Sequence, residues 1–276
     1  MAHLILARML GTKYFVPSSS MIYLIAVVGA FVAGAINTLA GNGSAITLTI
    51  LTEMLGLPGN VANGTNRVGI FTQSAAGSWA FYRKDRLNIS KSGLYIALTT
   101  IGALVGIYVA LKVSNEAFKE VFRFLLVMML FVILVKPARW LREETDVREL
   151  PLWISIPVFL ALGFYGGFIQ MGMGVFFLAA MVLVAHYNLV DSNAVKVAVV
   201  AIYTLVAVLI FAWQGLIDWK IGGLMALGQT AGGYLTARFA ATDPRAGKWA
   251  YRILVVVVVW AILRMFGVTG WIWELF

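Results

Sequence analysis

Two stretches of this chain place anion-binding residue types where a helix cannot continue. Asn37, Thr38, Asn42, Ser44 and Thr47 surround the break Gly41-Asn42-Gly43-Ser44, and Asn63-Gly64-Thr65-Asn66-Arg67 opens the apolar segment that follows. Unwound Gly-rich backbone offers free N–H groups, and a helix N-terminus adds about half a positive charge. Arg67 contributes a guanidinium fork that matches the oxygens of a carboxylate or a sulfonate. Together these residues describe a cradle for an anion. The second stretch is a thinner version, with Gln170 and Gly172 at a break and Ser192, Asn193 and Lys196 opening the next segment. The expected binding set is therefore Asn37, Asn42, Gly43, Ser44, Asn63, Asn66, Arg67, Gln170, Gly172, Asn193 and Lys196. The competing reading places Arg67 and Lys196 one turn into their helices, where long side chains snorkel to the membrane surface.

Other candidates carry less. Glu53, inside a short apolar piece, is a candidate proton carrier or a side chain that simply reaches the surface. Asp191 reads as the N-cap of a helix beginning near Ser192. Arg123 reads as a snorkelling residue. His186 stands alone at a helix end, without the partners of a metal site. No cofactor is expected. An intramembrane hydrolase is disfavoured, because Ser44 needs a base in reach and the chain's 2 histidines are His3 and His186.

The elements that must position these residues belong to a membrane. Of 276 residues, 61% are hydrophobic and 12% charged, against roughly 25% charged in a soluble domain. Apolar runs of about 17 to 25 residues, enough to cross a core of roughly 30 Å, recur from Met21 onward. Long segments lie near 21 to 40, 64 to 82, 92 to 111, 117 to 136, 151 to 169, 193 to 213, 220 to 240 and 249 to 268. Two shorter pieces, 44 to 57 and 173 to 187, each follow a long segment after a Gly-rich break tight enough for a helical hairpin. Gly102 with Gly106, and Gly228 with Gly232 and Gly233, read as close helix packing. The net charge of +9 is dispersed over short connections, which reads as a topology signal rather than a nucleic-acid face. Basic loops 83–91, 136–148 and 238–252 are expected on the cytoplasmic side. The absence of Cys excludes thiolate chemistry and disulfides.

Sliding the sequence against itself by 129 residues places Gly34 on Gly163, Gly43 on Gly172, Arg67 on Lys196 and Gly93 on Gly222. Each half repeats the order of long segment, Gly break, short segment and three long segments. The charge-based topology gives the halves opposite orientation. The expected fold is thus an all-α polytopic membrane protein of two inverted repeats, with about eight full spans plus two short helices in Gly-broken hairpins. Its divisions are a lead-in (1–20), a first repeat (21–136), a cytoplasmic linker (137–150), a second repeat (151–268) and a tail (269–276). Inverted repeats with interrupted helices are the architecture of secondary transporters, whose substrate sits between the halves. Arg67 and Lys196 would then face each other across that site.

The stretch Ala33-Gly34-Ala35-Ile36-Asn37-Thr38-Leu39-Ala40-Gly41-Asn42-Gly43-Ser44, with Gly56-Leu57-Pro58 and Val61-Ala62-Asn63-Gly64-Thr65-Asn66-Arg67, resembles the first-repeat signature of the sulfite exporter TauE/SafE family. Gly163-Phe164-Tyr165-Gly166-Gly167-Phe168, Gly172-Met173-Gly174 and Asn193-Ala194-Val195-Lys196 are similar to its second repeat. The resemblance implies a prokaryotic inner-membrane carrier that exports sulfite, sulfoacetate or a related small anion. Asn42 departs from it, standing where many relatives carry glycine. An anion channel or uniporter for another small carboxylate or oxyanion is the alternative. The partners expected are the small anion, the lipid bilayer and a coupling ion such as a proton; Gly and Trp faces allow a homodimer, and nucleic acid is not expected.

Overall fold

The computed structural model describes residues 19–110, 140, 150–168, 170 and 172–265. Among them no strand occurs, and the chain is a bundle of helices. They are α1 (Ser19–Ala40), α2 (Ser44–Thr49), α3 (Gly59–Tyr82), α4 (Ile89–Ala110), α5 (Leu152–Phe168), α6 (Met173–Ala179), α7 (Leu189–Trp213), α8 (Trp219–Thr242) and α9 (Ala246–Met265). A five-residue π-helical turn extends α2 (Ile50–Met54) and another extends α6 (Ala180–Val184). The expected segment 117 to 136, with Arg123, lies outside the described residues, as do most of the lead-in, the linker and the tail. By length and composition Met21–Ala40, Ser92–Val109 and Leu189–Trp213 are long and apolar enough to cross a membrane. The 24-residue α3 spends positions on Asn60, Asn63, Asn66, Arg67 and Gln73, which lowers its mean hydropathy.

Both short helices fold back along the helix before them. A Cβ on Gly43 would meet Cβ of Asn37 at 2.7 Å, and Gly29 sits against the Ile50 side chain, so α2 returns antiparallel to α1. Gly41 leaves α1 with φ +76, a left-handed stop that glycine adopts without Cβ strain. At the second break Gln170 (φ +63) and Gly172 (φ +77) do the same. The hairpin tips meet: a Cβ added to Gly41 would lie 2.5 Å from Cα of Gly174, and the reverse holds. Gly41→Ala therefore combines left-handed strain with overpacking, an expected loss of about 2 to 5 kcal/mol. Thermal melting in detergent checks it.

Small residues set the helix directions. Gly102 and Gly106 of α4 lie against backbone carbonyls of Leu160 and Phe164 in α5, and Gly228 and Gly232 of α8 lie against those of Val27 and Phe31 in α1. The close packing expected of these glycines is therefore present, and both pairs run parallel. Gly69 and Gly77 of α3 face Gln229 and Ala237 of α8, again parallel, whereas Gly64 sits by Phe211 and Gly77 by Val197 of α7, antiparallel. Hence α1, α3 and α8 run one way and α4, α5 and α7 the other.

Corresponding features recur along the chain with a change of register. Before the breaks the spacing is 129, as in Gly34 against Gln229 and Gly163 against Thr99. After them it is 130: Leu55 N–H to Ile50 O matches Ala185 to Ala180, and Arg86 N–H to Phe81 O matches Leu216 to Phe211. The cause is one added residue, since α2 has 6 residues and α6 has 7. Arg67 and Lys196 are accordingly not counterparts. Lys196 corresponds to Asn66, and Arg67 to Val197.

The cap of α7 also differs from expectation. Asn188 is the N-cap, its side chain accepting from Asp191 N–H at 2.8 Å and donating to the Asp191 carboxylate at 2.8 Å. Asp191 sits in the first turn, where its charge suits the helix dipole, and reaches Arg86 at 3.7 Å. Asn188→Ala is expected to lower stability by about 1 kcal/mol, read as a shifted melting curve with the helical signal retained.

Candidate functional site

Carbonyls at the C-terminal ends of α1 and α5 each receive a cation from the helix following the other hairpin. Lys196 of α7 is 2% exposed. Its Nζ donates to Asn37 O and Thr38 O at 2.9 Å each and to Asn193 Oδ1 at 2.6 Å, which uses all three ammonium hydrogens. Asn193 is held in turn by donation to Leu189 O at 3.0 Å. Gln73 closes the network, accepting from Asn37 Nδ2 and donating to Thr38 Oγ1, both at 3.2 Å. The end of α1 that leads into the first break is thus tied to α3 and α7 by satisfied polar groups.

The second break is held differently. Arg67 of α3, 1% exposed, makes one long bond from Nη2 to Gly167 O at 3.4 Å, and its guanidinium lies 5.4 Å over the Phe211 ring. Among the described residues its Nε and Nη1 have no partner, nor have Asn66 Nδ2, Gln170 Nε2, Ser74 Oγ or either polar atom of the fully buried Asn42 amide. Asn66 Oδ1 accepts from Gln229 Nε2 at 3.4 Å. Among the described residues no carboxylate pairs with Arg67. An unpaired cation in an apolar setting is costly, and in a membrane it marks a functional position.

Asn37, Gly41, Ser44, Ser74, Gln170, Gly174, Lys196 and Tyr203 line a cavity of ≈ 20 Å³ beside the hairpin tips, with Ile70, Met173, Val197 and Val200 as its apolar wall. That is room for about one water, so a larger anion requires the tips to part. Gly43 and Gly172 cap α2 and α6 without a side chain. Asn63 is half-buried at the start of the second turn of α3, and Glu53 is exposed on the π turn, away from the cavity lining.

Arg67 and Lys196 do not face each other. Gly77 packs 3.9 Å from Val197, so Arg67, ten residues earlier in α3, sits roughly 15 Å along the axis from Lys196. Neither snorkels, because both are buried. The sequence reading missed Gln73, Ser74, Tyr203, Phe211 and Gln229. Glutamines inside otherwise apolar helices were the available signal for two of them; Phe211 had none, since its role comes from packing across to α3.

Non-helical backbone surrounded by protein inside an apolar helical body, with a buried cation at each break, is the layout of a membrane transport protein. The family model for the sulfite exporter TauE/SafE matches residues 26–265, and the chain belongs to that family. It is 28% identical over 243 residues to a probable membrane transporter protein of Haemophilus influenzae, covering 87% of this chain and 93% of that one. It is 26% identical over 238 residues to the probable membrane transporter protein ORF9 of Sinorhizobium sp, covering 86% and 90%. The probable membrane transporter protein YfcA of Escherichia coli is 26% identical over 233 residues, 83% of each chain. No solved structure matches. The chain is an integral membrane protein of a transporter family.

Proposed function

We propose that this protein is a secondary transporter of the prokaryotic cytoplasmic membrane that exports a small sulfur-containing anion, such as sulfite, sulfoacetate or a similar sulfonate, by alternating access. The observation that carries the reading is an excess of buried donors. Arg67 Nε and Nη1, Asn66 Nδ2, Asn42 Nδ2 and Gln170 Nε2 lack acceptors among the described residues, and an oxyanion brings acceptors alone. Desolvated donors of this kind cost about 1 to 3 kcal/mol each when unpaired, which favours a ligand that pairs them. Arg67, Asn66, Asn42 and Gln170 are assigned to the anion. Lys196, Asn37 and Asn193 hold the first break in shape, and Ser44 and Gly172 shape the tips. The opposite directions of α1 and α5 support an inverted pair of halves whose tips part toward alternate sides. The basic loops 83–91, 136–148 and 238–252 are assigned to the cytoplasm.

The test is direct binding of sulfite, sulfoacetate and acetate to purified protein, beside Arg67→Ala and Asn66→Ala. Loss of affinity in the variants supports the assignment, and unchanged affinity in both sinks it. The guanidinium fork also fits a carboxylate, so tighter binding of acetate than of either sulfur anion would move the substrate class to small carboxylates. Counterflow in liposomes separates a carrier from a channel.

A further inference from the structure

A groove of ≈ 590 Å³ runs down the outer face between α3 and α8, lined by Thr72, Ala76 and Trp79 on one side and Leu227, Ala231 and Tyr234 on the other. Its floor is pinned by a Thr230 to Thr72 hydroxyl bond at 2.8 Å. Each wall is a helical stripe that ends in arginine. Thr72, Ala76, Trp79 and Arg83 follow one face of α3, and Leu227, Ala231, Tyr234 and Arg238 follow one face of α8. The helices are parallel with Gly77 against Ala237, which puts Arg238 level with Ser78. Arg83 starts one turn further out, but its guanidinium folds back to 5.7 Å over the Trp79 ring. Both charges therefore stand at the same end of the groove. Both arginines are exposed, and neither forms an ion pair among the described residues.

The dimensions match one lipid leaflet. From Thr72 to Arg83 is eleven residues, about 16 Å of helix, and half of a roughly 30 Å hydrocarbon core is about 15 Å. Small residues at 76 and 231 hollow the groove where an acyl chain would lie, while Trp79 and Tyr234 sit near its charged end, at the depth where aromatic residues favour the membrane surface.

We propose that this groove binds one anionic phospholipid, its acyl chain between α3 and α8 and its phosphate between Arg83 and Arg238. Basic side chains at the cytoplasmic surface select anionic headgroups, and the basic loops that end α3 and α8 are the ones assigned to that side. The occupant is distinct from the transported anion and independent of where that anion binds.

The experiment is native mass spectrometry of the protein released from nanodiscs holding phosphatidylglycerol and phosphatidylcholine of identical chains. One retained phosphatidylglycerol is expected, with a preference of about thirtyfold, the scale two basic residues provide. Arg83→Gln with Arg238→Gln should reduce the preference to near one. Ala231→Phe, which fills the groove and keeps both charges, should lose the bound lipid while the melting curve confirms a folded chain. Equal retention of the two lipids by the wild type means a bulk annulus and overturns the proposal. So does an unchanged preference in either variant, or displacement of the lipid by millimolar inorganic phosphate, which would identify a free-anion site.

Discussion

Arg67→Met is expected to weaken binding of the transported anion by about a hundredfold to ten-thousandfold while leaving the protein as stable as the wild type or more so. The two effects have opposite signs for one reason. The guanidinium has one long bond to Gly167 O and the Phe211 ring face, with Nε and Nη1 unpaired among the described residues. Removing a buried cation that lacks a counter-charge relieves desolvation, and methionine keeps most of the stem's packing. Binding loses two charge-assisted hydrogen bonds at about 1.5 to 3 kcal/mol each, hence the loss of about two to four decades. Titration calorimetry and melting curves on the same samples check both halves. A variant that melts much lower would show that Arg67 holds the fold and would withdraw it from the anion.

Lys196→Met is expected to behave in the opposite way, lowering stability by about 2 to 4 kcal/mol and impairing transport through the fold. The ammonium is also buried, but its three hydrogens all have acceptors. Taking it away relieves its desolvation and leaves Thr38 O and Asn193 Oδ1 without donors, at about 1 to 3 kcal/mol each. Asn37 O retains its bond from Gly41 N–H at 2.9 Å. Lys196→Arg should recover only part of the loss, because a planar fork does not reproduce three acceptors arranged around one nitrogen. Denaturation in detergent gives the stability, and a binding measurement at a temperature where the variant is folded separates this role from contact with the anion. Wild-type stability with lost affinity would return Lys196 to the ligand.

The membrane class, the two Gly breaks and the residues around them were legible in the sequence. Apolar runs report their solvent directly, and a break in such a run needs polar or glycine residues wherever it occurs. The family signature covered the same stretches that the structure brings together at the tips. What misled was register. One extra residue in α6 relative to α2 is invisible to a fixed offset, so Arg67 was aligned with Lys196 when the hydrogen-bonded turns after the breaks align Asn66 with it. The cap of α7 was misplaced by three residues for a local reason: Asn188 and Asp191 both suit that end of a helix, and only the backbone decides which takes the cap and which the first turn.

Sequence alone determined that this chain is helical and membrane-embedded, that two of its helices are interrupted, and that each interruption is followed by a cation. Tertiary structure decided which break each cation serves. Lys196 meets three acceptors because two carbonyls at the end of α1 lie beside Asn193 Oδ1 of its own helix, and Arg67 meets one, Gly167 O at the end of α5. The difference between a saturated ammonium that holds a hairpin and an unsaturated guanidinium that can bind an anion is a count of acceptors in space, and apart from Asn193 they come from residues 100 or more positions away in the chain.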